Sequence, residues 1–189
     1  MIIDLSEDQR FVVVSAFRVP KDMDPSVALK ELRSAIPGSE IQFFDGGRVA
    51  GKEHLEIAAI NALHAYKSGI GISRSLAMET LLYASAQRQI DAAITRIGVT
   101  QDSKIVGFVA FSETGEDALV LEDKIAQIAE VELNEELLEE WSEEKSRKIV
   151  TLYGISATEL EAVKMPRQEI HEAIKRAVVE RVAILSTRI

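Results

Sequence analysis

FVVVSAFRV, residues 11–19, is dense in β-branched and aromatic side chains and carries one charge, Arg18. Such a run reads as a strand buried in a sheet. Beyond it, Asp24-Pro25 supplies an N-cap followed by proline at the first helical position, which predicts a helix closing before Pro37-Gly38. EIQFFD, residues 40–45, is a second strand, stopped by Gly46-Gly47. From Gly51 to Lys67 the residues Leu55, Ala58, Ala59, Ala62, Leu63 and Tyr66 recur at helical spacing, with Gly69 and Gly71 past the end. KIVGFVAF, residues 104–111, is a third strand, in which Gly107 signals a bulge or a close backbone approach. Thr114 opens a helix running to about residue 130.

Between the second and third strands, Ser73 is expected to cap a long helical stretch that reaches Gly98. Its apolar stripe includes Leu76, Leu81, Leu82, Ile90, Ala93, Ile94 and Ile97. Ser85-Ala86-Gln87-Arg88-Gln89 interrupts that stripe, so a kink or two helices is expected rather than one rod. The last third reads as helix. Asn134 caps a helix to Tyr153 and Gly154, Ser156 and Glu159 form a capping box, and Met165-Pro166 precedes a final helix from Arg167 to about Leu185. The expected fold class is α/β (α+β): a small, mostly antiparallel sheet of about three main strands, flanked by about seven helices. It forms a single domain over residues 1–189, with a helical C-terminal portion from about residue 134.

The chain has no cysteine, which removes disulfides, thiolate metal sites and thiol nucleophiles. No apolar run approaches the roughly 20 residues that span a bilayer, and the N-terminus lacks a basic signal-peptide flank, so a cytoplasmic protein without membrane contact is expected. The net charge of −9 argues against a general nucleic-acid binder. That charge is uneven. Residues 1–45 carry 5 basic and 8 acidic side chains, residues 46–100 carry 6 and 4, and residues 101–189 carry 11 and 19. The middle third, at +2, is where contact with a phosphate backbone costs least.

Chemistry-bearing motifs are missing from the sequence. There is no Walker-type phosphate loop, no G-x-G-x-x-G and no G-x-S-x-G elbow; Gly69-Ile70-Gly71 follows a helix and reads as a turn. His54 and His64 stand ten residues apart on one helix, about 80° off a common face and about 15 Å apart along the axis, so they share no metal there. His171 lies outside any zinc-helix motif. All three histidines are read as surface or hydrogen-bonded side chains, and neither metal nor cofactor is expected. The run 130–144 holds eight glutamates without a basic residue; it reads as a solvated helix face, with docking of a basic partner as the lesser alternative. Ser73-Arg74-Ser75 at a helix start offers free N–H groups, two hydroxyls and a guanidinium, a possible phosphate site set against simple capping.

The stretch from Ile72 through Met78-Glu79, Ser85, Gln87-Arg88-Gln89-Ile90 and on to Ile97-Gly98 resembles the signature of the TPRKB family, in a form similar to its archaeal members. His54 with Ala58, Ala59 and Ala62, and the ending Val179-Glu180-Arg181-Val182-Ala183-Ile184-Leu185, resemble the same family. The resemblance implies a non-catalytic subunit of the KEOPS (EKC) complex that binds the KEOPS kinase subunit. It also implies help in capturing the 3′ CCA end of tRNA for threonylcarbamoylation (t6A) of the adenosine beside the anticodon. Single-stranded RNA ends are held by phosphate contacts and by stacking on aromatic or guanidinium planes. Arg74, Arg88 and Arg96, with Lys52 and Lys67, are the RNA-binding candidates; Leu81, Val178, Val182 and Leu185 are the kinase-interface candidates. Two other classes stay open: a small-molecule enzyme or ligand-binding protein with scattered site residues, and a structural adaptor without RNA contact.

Overall fold

The computed structural model describes residues 1–5, 10–165 and 168–185. Four strands form one antiparallel sheet: β1 (Ile2–Leu5), β2 (Arg10–Arg18), β3 (Glu40–Asp45) and β4 (Ile105–Ser112), in the order β1-β2-β4-β3. Sheet class and helical C-terminal part agree with the reading of the sequence. The fourth strand is an addition: Ile2–Leu5 is a short edge strand, with Ile2 opposite Val13 and Leu5 opposite Arg10. Four residues make too short a pattern to stand out as a strand.

Side chains alternate between the two faces of the sheet. Val13 and Phe17 of β2, Ile41 and Phe43 of β3, and Phe108 and Ala110 of β4 pack on one face against α1 (Pro25–Ala35) and α5 (Gly115–Ile128). Val12, Val14 and Ala16, with Phe44, Val109 and Phe111, pack on the other against α2 (Lys52–Lys67) and α3 (Leu76–Ser85). Both faces are covered, which explains why FVVVSAFRV is apolar throughout instead of alternating. Gly107 introduces no bulge, since pairing runs unbroken through Gly107 to both Ala16 and Phe44. It marks a close approach by side chains instead: a Cβ there would stand 2.9 Å from a methyl of Leu138 and 3.3 Å from one of Leu55.

The stretch 73–98 is two helices, α3 and α4 (Ile90–Ile97), as the polar cluster predicts. The cap of α3 is Ser75 and not Ser73; the Ser75 hydroxyl accepts from the Met78 N–H. The single helix expected from Asn134 to Tyr153 is also corrected. Asn134 caps a short 3-10 turn, Glu135–Glu139, and Ser142 starts the separate helix α6 (Glu143–Tyr153). The expected Ser156–Glu159 capping box opens α7 (Ala157–Val163). The last helix, α8, is described over Ile170–Leu185; the expected start at Pro166-Arg167 lies outside the described residues. It lies across α2, placing Val182 and Leu185 in the core beneath that sheet face, while Ile174, Ala177 and Val178 pack with Ile149, Tyr153 and Ile155.

Candidate functional site

An α-helix leaves its last four carbonyls without intrahelical partners. In α3 these belong to Leu82, Tyr83, Ala84 and Ser85, and each one is accounted for. Ala86 follows in the left-handed conformation, at φ 50° and ψ 40°. This lets its N–H reach Tyr83 O at 2.9 Å and the Gln87 N–H reach Leu82 O at 3.0 Å, the pair of bonds of a Schellman closure. Ala84 O accepts from two buried side chains, His54 Nε2–H at 2.8 Å and Tyr153 Oη–H at 2.8 Å. Ser85 O accepts from Arg96 Nη1 at 3.1 Å. The Arg96 guanidinium lies 5.6 Å from the centroid of the Tyr153 ring, a cation–π contact.

The proton on His54 is fixed by its neighbours. Nδ1 accepts from the Ala50 N–H at 3.1 Å, so Nε2 carries the hydrogen and donates to Ala84 O. Burial pushes the imidazole down to about 4, and the bond to Ala84 O resists that shift only in part. Burial likewise pushes the Tyr153 phenol above its ordinary value. His54 is thus the hydrogen-bonded histidine of the two expected readings, neutral and inside the core. His64 is exposed on the same helix. Sequence reasoning did not join His54 to Tyr153, 99 residues away. The one available signal was that His54 falls on the apolar stripe of α2 with Ala58 and Ala62.

Next to this junction, Arg88 and Gln89 are exposed in the loop between α3 and α4, followed by Ile90 and Ile94 on the outer face of α4. Arg96 is half-buried and bonded as above, so it belongs to the support of the loop. Arg48 caps the next helix, donating from Nη1 to Thr95 O at 2.8 Å while its Nε sits 3.0 Å from Asp45.

The opposite end of α3 departs from the phosphate reading. Glu40 Oε2 accepts from the Ser75 hydroxyl at 2.9 Å and from the Ala77 N–H at 2.8 Å. Glu79, itself buried, accepts from the Ile72 N–H at 3.1 Å and the Ser73 N–H at 2.7 Å. The chain's own carboxylates hold the amides a phosphate would use. Arg74 and Lys67 are exposed at this end. Lys52 lies at the other end of α2, about 22 Å away along its axis. Its ammonium is 2.6 Å from Glu136, a bond that raises its pKa. The five basic candidates therefore split: Lys67 and Arg74 at one end of the α2–α3 pair, Lys52, Arg88 and Arg96 at the other.

The model of the family described as kinase binding protein CGI-121 matches residues 23–186 of the 189. The chain belongs to the CGI-121 family. Among curated proteins none matches it. The match begins after β2 and takes in β3, β4, both helices of the α3–α4 junction and α8.

In this CGI-121 protein the four apolar residues assigned to a kinase interface are interior. Leu81 is 1% exposed, Val178 and Val182 0%, and Leu185 5%. Other apolar side chains face outward nearby, Ile184 on α8 and Ile90 and Ile94 on α4, the helix packed against α3. Six of the eight glutamates of 130–144 are exposed, as a solvated face requires, and part of the run also works as a strap. Glu139 holds the Lys175 ammonium at 2.6 Å and the Lys52 N–H at 2.7 Å, Glu136 pairs with Lys52, and Glu140 lies 2.6 Å from Arg18. These pairs join the 3-10 turn to β2, α2 and α8. The Lys175 and Lys52 ammonium groups help hold Glu139 below its ordinary pKa.

A cleft of about 470 Å³ opens beside Trp141, lined among others by Asp45, Lys104, Lys145 and Lys148. Burial brings the Lys145 ammonium down to about 8, yet its hydrogens go to Leu138 O at 2.9 Å and Glu140 O at 3.0 Å. Asp45 is bonded to the Gly47 N–H and paired with Arg48. Asp45 and Lys145 are thus engaged in holding the turns on which they sit. Among the described residues no cluster of three or more His, Asp or Glu is placed to hold a metal, and no helix is long and apolar enough to cross a membrane.

Proposed function

We propose that this protein is a non-catalytic accessory subunit of the KEOPS complex, which binds the kinase subunit and helps recruit the 3′ CCA end of tRNA for t6A formation. Membership of the kinase-binding CGI-121 family over residues 23–186 carries the kinase part of this reading. The RNA part rests on the exposed Arg88 in a loop that leaves a helix end whose last four carbonyls are all hydrogen-bonded, within the one segment of net positive charge. Arg74 and Lys67 at the far end of α3 form a second basic point on the same helix pair, suited to a phosphate further along the acceptor stem. Lys52, already paired with Glu136, contributes less. The protein is assigned to the cytoplasm, where tRNA and the kinase would meet it.

Kinase contact is proposed for the outward side chains of α4 and α8, with Leu81, Val178, Val182 and Leu185 supporting those helices from within. Gel filtration of the chain with the KEOPS kinase subunit is expected to give a stable complex. Ile94→Asp is expected to weaken that complex at least tenfold while the isolated protein stays folded. Val178→Asp is expected to unfold it, because an unpaired carboxylate in the core costs several kcal/mol. Failure of the wild-type chain to bind the kinase subunit would reject the assignment.

A further inference from the structure

Arg96 stands in the basic segment, but its hydrogen bond and its ring contact both point inward. Nη1 donates to Ser85 O, and the guanidinium covers the Tyr153 ring, whose hydroxyl in turn donates to Ala84 O beside His54. Ala86, the next residue, is held at a positive φ that alanine adopts at a cost. Helix α6 makes the same turn with Gly154 at φ 60°, where no such cost arises. Schellman bonds hold Glu130 in the same conformation after α5; at Ala86 three further donors bind Ala84 O and Ser85 O, the two carbonyls just before it.

We infer that Arg96, together with His54 and Tyr153, is a positioning residue. It fixes the Ala86–Gln89 turn and so the direction in which Arg88 is presented, and it makes no phosphate contact of its own. This rests on the proposed capture of RNA by Arg88. The clamp draws on α2, α4 and α6, so the loop is set by the helix that follows it and by two elements remote in sequence. A tRNA end meeting Arg88 therefore meets a preformed turn, and little ordering entropy is lost on binding.

The test compares Arg88→Ala, Arg96→Ala and Tyr153→Phe in the full chain bound to its kinase subunit. Binding of CCA-ended tRNA is measured over a range of salt, with amide hydrogen exchange at residues 86–89. A residue that touches a phosphate lowers the slope of log K against log salt by about one when removed, whereas a positioning residue lowers affinity and leaves the slope alone. Arg88→Ala is expected to lower both. Arg96→Ala and Tyr153→Phe are expected to lower affinity about three- to tenfold at unchanged slope, with faster exchange at 86–89 and unchanged kinase binding. A slope lowered by Arg96→Ala as by Arg88→Ala overturns the inference, as does unchanged affinity in both Arg96→Ala and Tyr153→Phe. If Tyr153→Phe fails to fold, Arg96→Ala decides alone, because its side chain is half-exposed. Unchanged binding by Arg88→Ala removes the RNA reading itself, and is recognised as such because exchange at 86–89 still separates the clamp variants from wild type.

Discussion

His54 has both ring nitrogens committed, one as acceptor from Ala50 and one as donor to Ala84, inside a fully buried site. Protonation would set a second N–H against the Ala50 N–H, and this adds to the burial that holds the group at about 4. In the unfolded chain a histidine titrates near 6.5. The folded value is the lower one, so the unfolded state takes up the proton first. The stabilising effect is therefore complete above about pH 6.5 and is lost as pH falls towards 4. Between pH 6.5 and 5 the loss amounts to about 1.5 kcal/mol. Urea midpoints of wild type over that interval are expected to fall accordingly, while those of a folded His54→Gln variant change much less; parallel curves would show that His54 is not the titrating group. The depressed pKa was not legible from a histidine on an apolar stripe, because Ala84 O, which takes its hydrogen, and the Tyr153 ring packed against it come from α3 and α6.

At the scale of the element, four helices close by the same arrangement, and two advertise it with a glycine at the left-handed position, α2 with Gly69 and α6 with Gly154. After α6 the left-handed position is Gly154; after α3 it is Ala86; after α5 it is Glu130, at φ 52°. There the Glu130 and Val131 N–H groups reach Gln127 O and Ala126 O. The end of α6 could be read directly from its glycine, and the α3–α4 break from its polar residues, but α5 gave only an approximate end. Glu130 is exposed, and a glycine there would relieve the strain without removing a buried contact. Glu130→Gly is expected to raise stability by about 0.5–1 kcal/mol, seen as a higher denaturant midpoint at unchanged slope. A lower midpoint would mean that the side chain makes a contact worth more than the strain. The cap of α3 shows the opposite limit. Ser73 and Ser75 are equally good caps by composition, and Glu40, a strand residue, bonds the hydroxyl of Ser75.

Across the molecule, the alternation of FVVVSAFRV with β3 and β4 laid down a sheet covered on both sides, and that much follows from burial of apolar residues alone. Two features needed the third dimension. Glu136, Glu139 and Glu140 looked unpaired because their cations, Lys52, Lys175 and Arg18, lie far away in sequence. The apolar face of α8 looked like an exposed interface because nothing in one sequence separates a core stripe from a docking stripe. The same ambiguity made Arg96 a candidate for RNA contact when its guanidinium faces Tyr153. Arg88, exposed at the α3–α4 turn, is with Arg74 and Lys67 one of the basic candidates that reach the surface. The central claim is that the protein, with its kinase subunit, grips the single-stranded end of tRNA there. The direct measurement is the affinity of that complex for tRNA with and without its 3′ CCA, at two salt concentrations. The account predicts at least tenfold weaker binding of the truncated tRNA by wild type and little difference between the two tRNAs for Arg88→Ala. Equal affinity of the wild-type complex for both tRNAs would contradict it.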